Sequence, residues 1–337
     1  MPKRLVIRGP RQAEFEEVSV PECTSDGILV RARTTAISTG TELRVYRGIP
    51  VDPEGRFIFP NQRLEFPIEN GYSMVGDVIQ VGSRVSDLAR GDRVFVPEPH
   101  EQVAACPAIQ ATRLPEGLPD EVGPFLHILE VAHIALRRGQ PSPGENVAIF
   151  GAGLIGLSAL AYAKAFGLRT AVVDLNPSRL AVAASMGADW TGSPKDVGFE
   201  EQAVDFFDGD GADLVLEAAS TWAAIEAGLR IARPEARVVV VARHTDQPAF
   251  SAVGYPYLAK NLSIRTSYGH PAPGTRWDRR RSQALTLDLL VRGRLNVGPI
   301  ITHRFDWQEL PDVYRRMDAS APEMIGVAID WSGNSEQ

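Results

Sequence analysis

Cysteine is scarce in this chain of 337 residues, which contains only Cys23 and Cys106. Two cysteines far apart in sequence cannot form a disulfide framework, and they cannot supply the four ligands of a structural zinc lobe. Long apolar runs are also missing, since no segment approaches the roughly 20 apolar residues of a membrane-spanning helix and the first residues do not resemble a signal peptide. We therefore expect a cytoplasmic protein without a membrane partner.

Concentrated positive charge is lacking as well. The formal net charge is -7 at pH 7, and the basic residues are scattered apart from Arg279-Arg280-Arg281. A phosphate backbone would require a basic surface, so nucleic acid is not an expected partner. Hydrophobic residues make up 44% of the chain and charged residues 23%, which predicts a folded globular protein. A chain of this length usually forms two domains.

The pattern of the sequence changes near Pro119. Short strand-like runs separated by Gly and Pro fill residues 4 to 115, which is typical of an antiparallel barrel, and no helix is predicted to dominate there. Apolar strands then alternate with helices, as in a doubly wound parallel sheet covered on both faces. We predict an α/β protein with domains at 1–117 and 118–272 and a last segment at 273–337.

A glycine-rich turn carries the clearest functional signal. Gly151, Gly153 and Gly156 form a G-x-G-x-x-G motif, with Leu154 and Ile155 inside it, directly after a buried strand and at the start of a helix. The first glycine permits a tight turn, the second lets the backbone approach a pyrophosphate, and the third lets the helix pack on the sheet. Free N–H groups at the helix start would bind the phosphates. The motif predicts a Rossmann dinucleotide site rather than an ordinary glycine turn.

Asp174 indicates which dinucleotide to expect. It ends the next predicted strand, about 20 residues after the motif, where a carboxylate binds the ribose hydroxyls and repels a 2'-phosphate. We therefore predict NAD as the cofactor. Arg179 is also assigned to the cofactor site, and its charge would tolerate the phosphate of NADP.

Along its whole length the chain resembles the medium-chain dehydrogenase/reductase superfamily, which includes the zinc alcohol dehydrogenases. Besides the glycine turn, the strings that carry the resemblance are A-I-S-T-G-T-E-L-R-V-Y-R-G at 36–48, G-Y-S-M-V-G-D-V-I-Q-V-G at 71–82 and G-D-R-V-F-V at 91–96. The resemblance implies a GroES-like β-barrel catalytic domain to which 273–337 returns, a Rossmann domain, an alcohol or ketone substrate, and a homodimer.

Some strings also resemble one particular group within the superfamily. The strings I-S-T-G-T-E, I-I-T-H-R at 300–304 and the terminal I-D-W are similar to the bacteriochlorophyllide a dehydrogenase group. Ser73 stands where that group tends to have Glu. The substrate of the group is therefore not carried over to this chain.

The positions that bind catalytic zinc in this superfamily hold other residues here. Thr39 replaces the cysteine ligand, Tyr72 replaces the histidine ligand, and only His127 offers a donor near the third position. One imidazole cannot hold zinc tetrahedrally. We predict a protein without zinc, and the alternative is an unusual site made from Glu42, His127 and His100.

Without a metal, side chains have to polarise the substrate oxygen. The resemblance implies that Thr41 hydrogen-bonds the reacting hydroxyl, while Thr39 and Tyr72 occupy the former ligand positions. The acid/base residue is left among Tyr72, His127 and Glu42, since a shielded carboxylate or an imidazole can titrate near neutrality. Each has a structural alternative, which for Glu42 is an ion pair with a nearby arginine.

Arg44 stands where the superfamily often ends its proton relay with a histidine. A guanidinium cannot act as a base, so Arg44 is expected to contact the cofactor pyrophosphate instead. Tyr268, His270 and Trp277 are expected to line the substrate side.

The leading hypothesis is a zinc-independent NAD(H)-dependent oxidoreductase that interconverts a secondary alcohol and a ketone. An NAD(P)H-dependent quinone or enone reductase is the first alternative, because zinc-free members of the superfamily often reduce activated C=C bonds. A nucleotide-binding scaffold without catalysis is the second.

Overall fold

The computed structural model describes residues 1–50, 64–244, 246–269, 271 and 274–333, so His270 lies outside the described residues. The chain forms two compact units: unit 1 contains Met1–His127 and Ile301–Gln337, and unit 2 contains Ile128–Ile300. Among the described residues, no helix has the length and apolar character needed to cross a membrane.

The two units are built from sixteen strands and eight α-helices within the described residues. The strands are β1 (Lys3–Gly9), β2 (Gln12–Glu17), β3 (Gly27–Ile37), β4 (Ile68–Glu69), β5 (Met74–Val81), β6 (Arg93–Val96), β7 (Val103–Pro107), β8 (Thr112–Arg113), β9 (Asn146–Phe150), β10 (Arg169–Val173), β11 (Trp190–Gly192), β12 (Ala212–Glu217), β13 (Ala232–Val240), β14 (Ser263–Thr266), β15 (Ile301–Asp306) and β16 (Gly326–Asp330). The helices are α1 (Thr39–Arg47), α2 (Leu126–Gly139), α3 (Leu154–Ala165), α4 (Pro177–Ser185), α5 (Phe199–Phe206), α6 (Trp222–Ile231), α7 (Arg279–Val291) and α8 (Leu310–Asp318).

Unit 1 is a mainly antiparallel β structure centred on β3. This strand pairs with β5, β7 and β16, and the larger sheet has the order β15-β16-β3-β5-β6-β8 with β7 added on β3. A second sheet has the order β2-β1-β4. Because β16 pairs with β3, the last segment of the chain contributes to the unit formed by the first segment. Apolar side chains from both chain ends share one core.

The sequence does not predict helix α1, which interrupts the strand-rich first part. Thr, Gly and Val are weak helix formers, and the helix contains all three. The side chain of Ser38, the N-cap residue, makes no capping bond; instead the Ser38 N–H donates to Glu42 Oε1 at 2.8 Å. Gly48 ends the helix in a left-handed conformation, with φ of 69°. Contacts with the rest of unit 1, rather than local propensity, therefore maintain α1.

Unit 2 contains a six-stranded parallel sheet with the order β11-β10-β9-β12-β13-β14. The chain builds outward from β9 in one direction and from β12 in the other, so the topology reverses between these two strands. In doubly wound sheets ligands bind outside the carboxyl ends of the strands at such a switch point. The predicted α/β fold class, a Rossmann sheet with a GroES-like β domain, is confirmed.

The observed units end at other residues than the predicted domains. Unit 2 begins at residue 128 instead of 118, and it retains residues up to 300 instead of 272. Helix α7 explains the second difference, because its polar side chains bond within unit 2. Ser282 Oγ lies 2.6 Å from His133 Nδ1, and Thr286 Oγ1 lies 2.6 Å from Tyr162 Oη.

Strand β14 forms one edge of the parallel sheet. All four of its residues are exposed, including Ile264. An edge strand presents backbone groups to which a strand of a second molecule can pair. The homodimer remains a prediction, and β14 is a surface that would serve it.

Unit 2 buries a carboxyl group on α2, and this should make its stability depend on pH. Glu130 has no exposed surface, and burial raises the pKa of its carboxyl from about 4.5 to about 8, although the Arg279 guanidinium lies 3.8 Å away and opposes the shift. Between these values the folded state binds more protons than the unfolded state, so Glu130 lowers the stability of the fold increasingly as pH rises.

We therefore expect Glu130→Gln to stabilise the protein by an amount that grows as pH rises from about 4.5 and levels off above about 8. Urea denaturation at a series of pH values measures this gain, and Glu201→Gln, at an exposed position in the same unit, is the control. A gain that is equal at every pH would contradict the buried-carboxyl explanation.

Candidate functional site

The glycine turn lies between β9 and α3, at the carboxyl edge of the parallel sheet. Gly151 has φ of 98°, which favours glycine, and a Cβ on Gly156 would lie 1.7 Å from the Gly151 carbonyl oxygen. A Cβ on Gly153, in contrast, would have no neighbour nearer than Arg179 Nη1 at 4.0 Å. The turn is therefore closed on the sheet side and open at Gly153.

The start of α3 completes an anion site at this turn. Gly153 is the N-cap residue and helix α3 begins at Leu154, followed by Ile155 and Gly156. A glycine cap offers no side-chain acceptor, so the first N–H groups and the positive end of the helix dipole are directed to a ligand or to water. These features fit the pyrophosphate of a dinucleotide.

Asp174 follows β10 and connects the turn with the next loop. Its Oδ2 accepts the Ala152 N–H at 2.7 Å, and its Oδ1 accepts the Asn176 N–H at 2.8 Å. Each carboxylate oxygen has a second lone pair and can also accept a ribose hydroxyl. Arg179, in the first turn of α4, lies on the side of Gly153. Unit 2 therefore places a carboxylate and a guanidinium at the adenosine end of the predicted cofactor site.

Unit 1 has a buried polar centre around Glu42. The Glu42 side chain has no exposed surface; its Oε2 lies 2.9 Å from His100 Nε2 and also accepts a hydrogen bond from the Tyr314 hydroxyl. An ionised carboxylate only accepts, so we assign the His100 hydrogen to Nε2, and His100 Nδ1 then accepts from Thr35 Oγ1 at 2.7 Å. Trp331 Nε1 donates to the same Thr35 oxygen at 2.9 Å.

This arrangement bears on the alternatives for Glu42. Arg47, one of its possible partners, pairs with Asp318 instead, and the carboxylate is bonded by Ser38, His100 and Tyr314. Burial and the adjacent Glu42 raise the pKa of Tyr314 well above its ordinary value. Glu42 is therefore placed to orient α1, and it has no surface from which to contact a substrate.

Tyr72, Thr41 and His127 lie together at a partly exposed place beside this centre. The Tyr72 hydroxyl donates to Ser38 Oγ at 2.5 Å and is also hydrogen-bonded to Thr41. The His127 ring meets the Tyr72 ring edge to face, with centroids 5.3 Å apart. Burial and then the charge of Glu42 raise the pKa of Tyr72 to about 12, so its hydroxyl is a hydrogen-bond donor at neutral pH. Three of the five predicted catalytic residues are thus brought together.

The remaining predicted residues have separate surroundings. Thr39 is the partly exposed first residue of α1, and the Arg44 guanidinium donates to the Pro50 carbonyl at 3.0 Å. Tyr268 is 64% exposed, with the Arg243 guanidinium 5.3 Å from its ring centroid.

Trp277, expected on the substrate side, has a packing role. Its ring lies against His133, with centroids 5.4 Å apart, and the Arg137 guanidinium lies 4.2 Å from its ring centroid.

Several polar residues of these sites were not found from the sequence. Ser38 and Tyr314 hold Tyr72 and Glu42. Ser38 lies in the string at 36–48 that carries the resemblance, but the sequence assigned no role to either residue. His244 could have been noticed, since it closely follows a predicted apolar strand of the sheet. It lies at the carboxyl edge of unit 2, where its Nε2 is 2.9 Å from Glu217 Oε2.

The donor set at the former ligand positions does not fit zinc. Thr39 and Tyr72 offer hydroxyl groups, which are not the thiolate, imidazole or carboxylate ligands that zinc takes in proteins. Within the part of the chain that the structure describes, no three or more His, Cys, Asp or Glu side chains are grouped so that they could hold a metal ion.

Two family models match the chain, one within each unit. The model of the alcohol dehydrogenase GroES-like domain matches residues 24–120, and the model of the zinc-binding dehydrogenase family matches residues 155–279. A probable D-xylulose reductase A from Aspergillus clavatus is 26% identical over 354 residues, covering 93% of each chain. A sorbitol dehydrogenase from Bacillus subtilis is 27% identical over 361 residues, covering 97% of this chain and 96% of the relative.

A solved structure gives the same picture of the fold. An alcohol dehydrogenase from Escherichia coli, complexed with NADH, has a TM-score of 0.82 at 21% identity and covers 98% of this chain and 99% of its own. The glycine turn at the switch point, joined in one chain with a GroES-like unit, defines an oxidoreductase of the two-domain dehydrogenase type. The two models and these relatives together support the medium-chain dehydrogenase/reductase superfamily, which includes the zinc alcohol dehydrogenases.

The position of Asp174 generates a test of cofactor discrimination. Asp174→Ser removes the charge that would repel a 2'-phosphate and leaves Arg179 in place, so the ratio of the Kd values for NADH and NADPH should shift toward NADPH by about tenfold. Fluorescence titration measures both constants. Asp208→Ser, at an exposed aspartate of unit 2, is the matched control. An unchanged ratio in Asp174→Ser would show that the carboxylate does not face the adenosine ribose.

Proposed function

We propose that this protein is a zinc-independent NAD(H)-dependent oxidoreductase that interconverts a secondary alcohol and a ketone by hydride transfer, a zinc-less member of its superfamily. The observation that carries the proposal is the Tyr72 hydroxyl, held by Ser38 and Thr41 beside His127. The resemblance assigns position 72 to a metal ligand of the superfamily, so a hydroxyl group at this position supports the proposal.

The substrate class is supported by the relatives. Two of them are named for the reduction of D-xylulose, a ketose, and for the dehydrogenation of sorbitol, a polyol. The reaction centre in both cases is a hydroxyl-bearing carbon or the matching carbonyl. We propose a small alcohol or ketone of this kind for the present chain, and NAD as the partner because Asp174 lies at the glycine turn.

The glycine turn and Asp174 would hold NAD, which when bound would supply the hydride acceptor for alcohol oxidation and, as NADH, the hydride donor for ketone reduction. The protein has to stabilise negative charge on the substrate oxygen and to move one proton. Tyr72 would take the first task by turning its single hydrogen from Ser38 Oγ to the substrate oxygen, with the Ser38 hydroxyl then donating to Tyr72. Its pKa of about 12 keeps that hydrogen in place at neutral pH. Preorganised donors at a developing oxyanion supply much of the stabilisation that a metal would otherwise provide.

His127 is suited to the second task. In alcohol oxidation the proton leaves the substrate oxygen, and an imidazole is the side chain that most readily takes it up near neutral pH. In ketone reduction the same proton returns to the oxygen. Thr41, which bonds Tyr72, supplies a second hydroxyl to the substrate oxygen. Glu42 acts as a positioning residue, since its carboxylate binds the Ser38 N–H and Ser38 in turn holds the Tyr72 hydroxyl.

The proposal is tested by measuring metal content and activity on one preparation. We expect far less than one zinc per chain by mass spectrometry, and unchanged oxidation of sorbitol-like polyols or reduction of ketoses after dialysis against a chelator. Stoichiometric zinc that activity requires would contradict the proposal. Enone reduction with NADPH alone would favour the quinone or enone reductase, and NADH binding without turnover on any substrate would favour the non-catalytic scaffold.

The role of Tyr72 is tested separately. Tyr72→Phe removes one oxyanion donor and should lower kcat roughly 10²- to 10³-fold. The Kd for NADH should stay within about twofold, because the glycine turn belongs to the other unit. Tyr255→Phe, at a tyrosine that is 87% exposed, is the matched control. A Tyr72→Phe variant with wild-type kcat would show that Tyr72 only packs against His127.

A further inference from the structure

A carboxylate–imidazole pair lies at the carboxyl edge of the parallel sheet, outside the residues used so far. Glu217 ends β12 and has no exposed surface, and the side chain of His244, after β13, is 8% exposed. Glu217 Oε2 lies 2.9 Å from His244 Nε2, while Glu217 Oε1 accepts the N–H groups of Ala219 and Ser220 at 2.8 and 2.7 Å. Both oxygens of this carboxylate therefore act as acceptors.

The Glu217 contact determines which ring nitrogen of His244 carries the hydrogen. A carboxylate that accepts the Nε2–H leaves Nδ1 of the neutral ring with its lone pair as an acceptor. Nδ1 is buried, and it has no hydrogen-bond partner among the described residues. Buried polar atoms are nearly always satisfied, so an unsatisfied one calls for a partner that these residues do not supply.

The position of the pair indicates what that partner is. The backbone after Glu217 packs directly on the glycine turn, since a Cβ on Gly151 would lie 2.8 Å from the Ala219 nitrogen. The pair thus lies on the β12 and β13 side of the switch point, and the adenosine residue Asp174 lies on the β10 side. A dinucleotide with its pyrophosphate at the turn has its second half over the ends of β12 and β13.

We propose that His244 Nδ1 accepts a hydrogen bond from the nicotinamide riboside half of the bound dinucleotide, and that Glu217 fixes the ring for this purpose. The donor is either a ribose hydroxyl or the carboxamide NH₂, which present the same chemistry to Nδ1. The proposal rests on the dinucleotide site of the proposed function, and it makes His244 a binding and positioning residue.

Packing of the ring supports a fixed orientation. Trp222 lies against His244 with ring centroids 4.7 Å apart, and Trp222 Nε1 donates to the Asp246 carbonyl at 2.8 Å. The imidazole is therefore held between a carboxylate and an indole. If His244 served only to satisfy Glu217, Nδ1 would have no function and its loss would not affect ligand binding.

Isothermal titration calorimetry on the full chain with NADH, ADP-ribose and ADP tests the proposal. His244→Ala should raise the Kd for NADH about tenfold, which corresponds to about 1.4 kcal/mol, and leave the Kd for ADP within about twofold. A matching loss for ADP-ribose identifies a ribose hydroxyl as the donor, and an unchanged Kd identifies the carboxamide. His244→Asn, whose side-chain oxygen can take the place of Nδ1, should recover most of the NADH affinity.

The controls separate this proposal from a structural role and from the proposed function. His303→Ala removes a histidine of unit 1 and should change none of the three constants. Equal losses for NADH and ADP in both His244 variants, or no loss for NADH, would overturn the role of His244 and leave the dinucleotide site standing. Failure of the wild-type protein to bind ADP and NADH would overturn both.

Discussion

A carboxylate without solvent contact constrains unit 1. The Glu42 carboxylate has to be satisfied by protein groups, since an unpaired buried charge would be strongly destabilising. The Ser38 N–H, the Tyr314 hydroxyl and His100 satisfy it. These donors come from the N-cap of α1, from α8 and from the loop before β7. The Glu42 carboxylate therefore connects segments that are up to 272 residues apart in the chain. The position of Tyr72 depends on this network, because Ser38 receives the Tyr72 hydroxyl bond.

The parts of the fold that follow a local pattern were predictable from the sequence. Strand β9 and helix α6 belong to the predicted alternation of apolar strands and helices, because a buried parallel strand and an amphipathic helix each leave a clear sequence pattern. Helix α1 was not predicted, since its weak helix formers are stabilised by the distant contacts of Glu42. Unit 2 extends to residue 300 rather than to the predicted 272 because side chains of α7 bond to residues of α2 and α3, and such distant contacts leave no local sequence pattern.

The candidate site also combines residues that a sequence pattern predicts with contacts that no pattern predicts. The glycine turn and Asp174 were found because the motif is contiguous and its backbone requirements are specific. Tyr72 and His127 were located through resemblance, which gives positions and not contacts. No sequence pattern could show that Glu42 bonds His100 and Tyr314, or that His244 meets Glu217, since each pair forms only after the chain has folded.

If side chains take the place of zinc, as proposed, the two tasks of the metal have to be divided between different groups. A metal ion both stabilises negative charge on the substrate oxygen and makes its hydroxyl more acidic. The burial that raises the pKa of Tyr72 to about 12 keeps the phenol protonated at neutral pH, so it is a hydrogen-bond donor and a poor proton carrier. One hydroxyl therefore cannot perform both tasks at neutral pH. In the proposed mechanism a second, adjacent group has to carry the proton, and His127 is the imidazole in contact with the Tyr72 ring.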